Sequence, residues 1–240
     1  SALHILPGKS RVIRPSSSDV IVSNTPSKSA YQDAVMVSTN LQNNGPKKLD
    51  KLPIDEIEFS FLRSLTREKR FKIYVNGRLV ADRGLEIVAH LVRKLDPTLF
   101  VFVIVGRVDD TNYADFFASQ SANVFRMERS SNVMCLAAYF LTDCSIILYD
   151  PITAINRKAE SNKWWDSIFT NSLFITNSEI ESIAYLPEQS KAVTLPYSDK
   201  GAFLSYFLEG HCFIDISKGE LQVGDPDVGF WDDNIIKVLK

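Results

Sequence analysis

The chain has 240 residues, 45% hydrophobic and 23% charged, with 27 Lys and Arg against 29 Asp and Glu. That composition belongs to a globular chain able to bury a sizeable core, and it excludes a disordered, collagen-like or disulfide-built protein. A net charge of −2 and a pI near 6.0 argue against a nucleic-acid partner. The longest apolar run, residues 99–105, falls far short of the ~18 residues a membrane-spanning helix needs. Cys135, Cys144 and Cys212 are odd in number and lack paired ligand spacing, which fits core thiols in a reducing compartment and no metal site.

Residue 1 is Ser where an initiator Met would stand, which marks the sequence as a processed or partial chain. Residues 1–70 are rich in Ser, Asn, Pro and Lys, with two short apolar runs at 20–22 and 34–37 that read as strands. Asn43-Asn44-Gly45-Pro46 is a loop signal, and the charged run Arg67-Glu68-Lys69-Arg70 reads as a solvated segment. These features predict a division into an N-terminal segment, 1–70, and a main domain, 71–240.

From residue 71 the pattern alternates. Strands are expected at 71–75, 99–105, 123–126, 145–149, 173–176 and 192–195, and helices at 85–95, 133–141, 162–169 and 200–208. Strands separated by helices imply parallel βαβ units, so the predicted fold is α/β: a Rossmann-like open parallel sheet with helices on both faces.

Such sheets bind ligands beyond the carboxyl ends of their strands, where strand order reverses. After the first strand stands Asn76-Gly77-Arg78-Leu79-Val80-Ala81-Asp82-Arg83-Gly84. Glycine admits a close phosphate, the following helix start favours an anion, and Arg78 and Arg83 offer bidentate donors, all of which suits a diphosphate. The same spacing suits two solvated arginines in a tight turn. After the fourth strand a polar loop leads into Ser161-Asn162-Lys163-Trp164-Trp165-Asp166. Ser161 reads as an N-cap, Lys163 as a partner for an anion at the helix start, and Asp166 as a carboxylate able to accept from ribose hydroxyls. The plainer alternative is a capped surface helix with a tryptophan on the core. Asp109-Asp110 reads as a solvated turn and His90 as a structural or solvated helix residue. No nucleophile elbow, Walker loop, zinc-protease helix or Gly-x-Gly-x-x-Gly follows a strand.

Taken in order, these segments resemble the C-terminal, nucleotide-sugar-binding domain of GT-B glycosyltransferases, in particular retaining glycosyltransferase family 4. Gly77-Arg78-Leu79 followed by Arg83-Gly84 is similar to that family's Gly-Arg-Leu turn and Lys-Gly, and Val103-Ile104-Val105-Gly106 to its second strand. Asn123-Val124-Phe125 resembles its base-contacting segment, residues 141–148 its aspartate-then-strand signature with Asp143 in place, and Ser161-Asn162-Lys163 its Pro/Ser-Asn-Lys element, with Asp166 at the ribose-binding Glu. Phe230-Trp231 resembles the opening of its last helix. The family's spaced pair of glutamates is absent, Asn171 stands where Gly is usual and Leu173 where Pro is usual, so a divergent branch is implied.

The resemblance implies a hexosyltransferase whose donor is a nucleotide-diphosphate sugar, UDP- or GDP-linked, with no further cofactor. Arg78 and Arg83 would neutralise the leaving diphosphate, Gly77, Ser161, Asn162 and Lys163 would contact it, Asp166 would hold ribose, and Asn123, Val124 and Phe125 the base. The acceptor would be a glycan or a lipid-linked sugar in cytoplasmic polysaccharide biosynthesis. Lys9, Arg11 and Arg14 suit peripheral association with the inner membrane surface. Residues 1–70 are too few for the family's acceptor domain, so a partner domain or chain would complete the cleft. The competing expectation is a noncatalytic α/β binding or scaffold module derived from such an enzyme.

Overall fold

A computed structural model describes residues 12–13, 21–22, 55–187 and 190–213. Val12–Ile13 and Ile21–Val22 form a short antiparallel ladder. The strand expected at 34–37, the basic residues Lys9, Arg11 and Arg14, and Phe230-Trp231 lie outside the described residues.

The main sheet has six strands: β1 (Phe71–Asn76), β2 (Phe100–Val105), β3 (Val124–Met127), β4 (Cys144–Ile147), β5 (Leu173–Asn177) and β6 (Ala192–Leu195). All pairings are parallel and the order is β3-β2-β1-β4-β5-β6. The order therefore reverses between β1 and β4, the point at which connections leave for opposite directions and open a crevice. Continuous β-branched and aromatic runs form the central strands because both faces are covered; every residue of β2 is buried.

Among the described residues the helices that complete the layers are α1 (Glu56–Arg67), α2 (Leu85–Lys94), α3 (Thr111–Ser119), α4 (Asn132–Leu141), α5 (Ala154–Arg157), α6 (Asn162–Phe169) and α7 (Lys200–Leu208). Successive strand residues face opposite sides. Ile73 joins Val88, Phe117, Phe203 and Phe207 of α2, α3 and α7, whereas Tyr74 joins Leu62, Leu65 and Ala138 of α1 and α4. Helix α6 packs through Trp164 on Ile147 and Phe174. None of the helices in the described residues is long and apolar enough to cross a membrane.

Helix α1 lies inside the segment that composition assigned to the N-terminal part. Asp55 caps it by accepting from the Glu58 amide at 2.8 Å. Glu58 is buried and its carboxylate accepts from the Ser131 amide and hydroxyl at the start of α4, which locks the two helices together. The charged run after α1 is not simply solvated. Arg70 pairs with Glu68, whose carboxyl it holds at about 2, and also donates to the carbonyls of Pro97 (2.8 Å) and Ala122 (2.6 Å). Asp143 accepts from the Lys72 amide at 2.6 Å and so pins the start of β4 to β1.

The ladder continues past the strand ends into two glycine turns. Gly77 donates to the Val105 carbonyl at 2.7 Å and Gly106 to that of Met127 at 2.8 Å. Gly106 has φ +131, and a Cβ there would lie 2.1 Å from the Gly77 carbonyl oxygen. Gly106→Ala therefore destabilises the fold by on the order of 3 kcal/mol, through both left-handed strain and backbone collision. Urea unfolding checks this, and a midpoint equal to the wild type's would contradict it.

Candidate functional site

Where strand order reverses, the connections leaving β1 and β4 enclose a cavity of about 360 Å³. Arg78, Val80, Asp82 and Arg83 contribute from the first connection, Tyr149 from just beyond β4, and Glu160, Ser161, Asn162 and Lys163 from the approach to α6. Five of the residues singled out in the sequence, Arg78, Arg83, Ser161, Asn162 and Lys163, thus share one wall-to-wall space.

Gly77 borders it, with φ +90, and a Cβ at this position would lie 2.9 Å from the Lys163 Nζ. The absence of a side chain at 77 is what lets the ammonium lie over the turn. Lys163 leaves the first turn of α6, whose N-cap Ser161 accepts from the Lys163 amide at 3.2 Å. Burial first, then the nearby Arg83 charge, lowers the Lys163 amine to about 8, partly opposed by Asp166.

Asp166 lies one turn further along α6. Burial pushes its carboxyl up to about 7, with the Lys163 charge acting in the other direction. Asp166 does not line the cavity. Its charge acts on the buried phenols of Tyr74 and Tyr139, both driven well above their ordinary value, chiefly by burial with Asp166 adding to it. Both Trp164 and Trp165 are buried, and the Trp165 indole donates to Glu160 at 3.0 Å, so the helix start is held from beneath and from the loop.

The two arginines differ. Arg78 is paired with Asp109, which also takes Arg107; the carboxyl of Asp109 is lowered first by Arg107 and then by Arg78. The expected solvated turn is thus an ion cluster, while Asp110 caps α3. Arg83, in the short 3-10 turn Ala81–Arg83, stacks its guanidinium over the Tyr149 ring at 4.1 Å and has no carboxylate partner among the described residues.

Asn123, Val124 and Phe125 are not brought to this cavity. Asn123 is buried at the amino end of β3, where its amide donates to the Val92 carbonyl at 3.3 Å, and Val124 is buried beside it. Phe125 packs edge-on against Phe61 of α1, ring centroids 6.5 Å apart. In a parallel sheet all amino ends share one edge, so a residue opening β3 is on the side opposite the cavity; β3 carries Met127 and its successors toward the site. Tyr149, Asp82 and Glu160 were not singled out from sequence, because only strand register brings them into the cavity. Among the described residues no cluster of His, Cys, Asp and Glu could hold a metal ion.

No protein-family profile matches the sequence, and no curated protein is significantly similar to it. Solved structures do share the fold. The chain is similar to a glycosyltransferase from Rickettsia africae ESF-5, with a TM-score of 0.51 and 12% identity over 80% of this chain and 50% of that one. It is also similar to sucrose-phosphate synthase from Thermosynechococcus elongatus, with a TM-score of 0.50 and 11% identity over 90% of this chain and 59% of that one. The α/β fold of this chain is therefore one found in solved glycosyltransferases, and the chain spans 50% of the length of the first and 59% of the second.

A largely desolvated ammonium with no salt-bridge partner among the described residues carries a cost in stability. In the unfolded chain Lys163 holds its proton to about 10.5, in the folded one only to about 8, so stability rises with pH between these values and the cost is fully present below 8. Lys163→Met accordingly stabilises the fold at pH 6 by about 1–2 kcal/mol, and by little above pH 10. Urea midpoints at the two pH values measure this; a Lys163→Met protein less stable than wild type at pH 6 would contradict the burial argument.

Proposed function

We propose that the chain is the donor-binding half of a glycosyltransferase, in a divergent branch near retaining family 4, and that its cavity receives the diphosphate of a UDP- or GDP-linked sugar. The observation that supports this most is a pair of cations, Arg83 and Lys163, that line one cavity beside the amino end of α6, neither in a salt bridge among the described residues although Asp82 and Glu160 share the wall. Like charges assembled in a partly dry space, with an oriented helix end adding amide donors, suit a polyanion. The fold shared with solved glycosyltransferases supports the same reading.

In the reaction the bond between the anomeric carbon and the terminal phosphate oxygen breaks, its electron pair stays on the diphosphate, and the anomeric carbon bonds instead to an acceptor hydroxyl oxygen, whose proton passes to a base. Arg83, Lys163 and the α6 amides stabilise that charge as it grows, in place of a metal ion. Glycan or lipid-linked acceptors and catalysis itself require the other half of the cleft, supplied by a further domain or chain at the cytoplasmic membrane surface. A noncatalytic binding module is the second reading; the sequestering of Arg78 by Asp109 favours it.

Calorimetric titration with UDP, GDP and ADP tests the proposal. One nucleotide saturates the chain with Kd in the micromolar range. Arg83→Ala weakens it by about tenfold or more, Arg78→Ala by less because Arg78 must first leave Asp109, and Asp109→Asn tightens it about threefold by releasing Arg78. Absence of binding by the folded chain, or equal losses from the two arginines, would contradict this assignment.

A further inference from the structure

The arrangement around Arg83 raises a physical question: what keeps an arginine with no carboxylate partner among the described residues next to another cation. Arg83 sits close enough to Lys163 to depress the lysine's affinity for its proton, so the two repel. A free guanidinium on a surface turn would swing into water. In this structure its central carbon instead lies 4.1 Å above the Tyr149 ring, the attraction of a cation for the negative face of an aromatic.

Tyr149 is itself fixed from several sides. It is buried, and its other neighbour is Trp164 of α6, edge-on with ring centroids 6.5 Å apart, so the ring bridges the Arg83 turn and the helix that carries Lys163. Its backbone amide donates to the carboxamide oxygen of Asn177, fully buried at the end of β5, at 3.0 Å. The Asn177 amide donates to Glu179 at 3.1 Å, and Glu179 accepts from the Tyr197 amide at 2.9 Å. The Tyr197 hydroxyl then donates to the Ala81 carbonyl at 3.1 Å, in the same 3-10 turn that bears Arg83. The contacts form a closed circuit from the turn across three strand ends and back to the turn.

We infer that Tyr149 is the positioning residue for Arg83: its ring holds the guanidinium over the cavity against repulsion from Lys163, and Asn177, Glu179 and Tyr197 fix the ring and the turn relative to one another. This rests on the anion-binding reading of the cavity and extends it. Although Tyr149 borders the cavity, its effect on a bound diphosphate acts through Arg83, so that effect vanishes when Arg83 is absent. A residue needed only for folding would behave otherwise, lowering affinity to the same degree with or without Arg83.

The test uses inorganic pyrophosphate as probe and calorimetry on wild type, Tyr149→Phe, Tyr149→Leu, Arg83→Ala and the Arg83→Ala/Tyr149→Leu double variant. Tyr149→Phe, which keeps the ring, binds within about twofold of wild type; Tyr149→Leu binds roughly five- to tenfold more weakly; the double variant is no weaker than Arg83→Ala alone. Wild-type affinity in Tyr149→Leu, or the same loss in both backgrounds, overturns the inference while leaving the anion site standing. No pyrophosphate binding by folded wild type overturns both. Should Tyr149→Leu not fold, NMR of ligand-free wild type decides: the Arg83 Hδ resonances lie upfield under the ring, and resonances at solvent-exposed arginine positions overturn the inference.

Discussion

The ammonium of Lys163 occupies the space that a side chain at residue 77 would fill, and much of the site depends on that one exclusion. Gly77 can be bare only because its own position is fixed by the sheet: its amide continues the β1–β2 ladder to Val105, and its carbonyl leaves no room for anything but hydrogen at Gly106. Two glycines in the left-handed half of backbone space thus bring the ends of two strands together. The result is a floor of backbone over which a lysine from a distant helix can lie.

The charges above that floor are arranged unequally. Asp109 pairs with both Arg78 and Arg107, while Arg83 is left with an aromatic face and Lys163 with the largely buried carboxyl of Asp166 one turn along its helix. Two cations that repel one another are costly to hold together, a cost that the proposed polyanion would relieve. The same sheet order that makes the crevice also sets which loops meet there: the connection after β1 and that after β4, on strands that are spatial neighbours but far apart in sequence.

Most of the architecture was legible from residue pattern. Runs such as residues 100–105 can only be strands buried on both faces, and Leu85, Val88 and Val92 share a helical face that meets them. Helix α1 was passed over although Asp55 supplies a cap and Leu62 and Leu65 the correct apolar spacing, because the polar composition around it dominated. Asn171 illustrates a local rule that survives substitution. It stands at φ 53, a conformation that favours Gly and that Asn tolerates better than most residues, so the turn before β5 is kept without the glycine.

The cavity lining was legible wherever a side chain follows directly on a strand or opens a helix, which is true of Arg78, Arg83, Ser161, Asn162 and Lys163. It was not legible where placement depends on partners remote in sequence. Tyr149 reads as one more strand-end aromatic until Arg83 is placed over it, and Asp109 as a solvated turn until Arg78 and Arg107 converge on it. Asn123 to Phe125 were assigned to the site by resemblance, but strand polarity puts Asn123 at the opposite edge and turns Phe125 toward α1.

The central claim is that Lys163 is a desolvated cation awaiting an anion, and titration of its side-chain resonances by NMR in the presence and absence of inorganic pyrophosphate tests it most directly. The account predicts a value near 8 in the free protein, rising by at least one unit when pyrophosphate binds, as an anion at the ammonium must favour its charged form. A Lys163 that titrates like a solvent-exposed lysine, or one whose titration is unmoved by pyrophosphate, would contradict it.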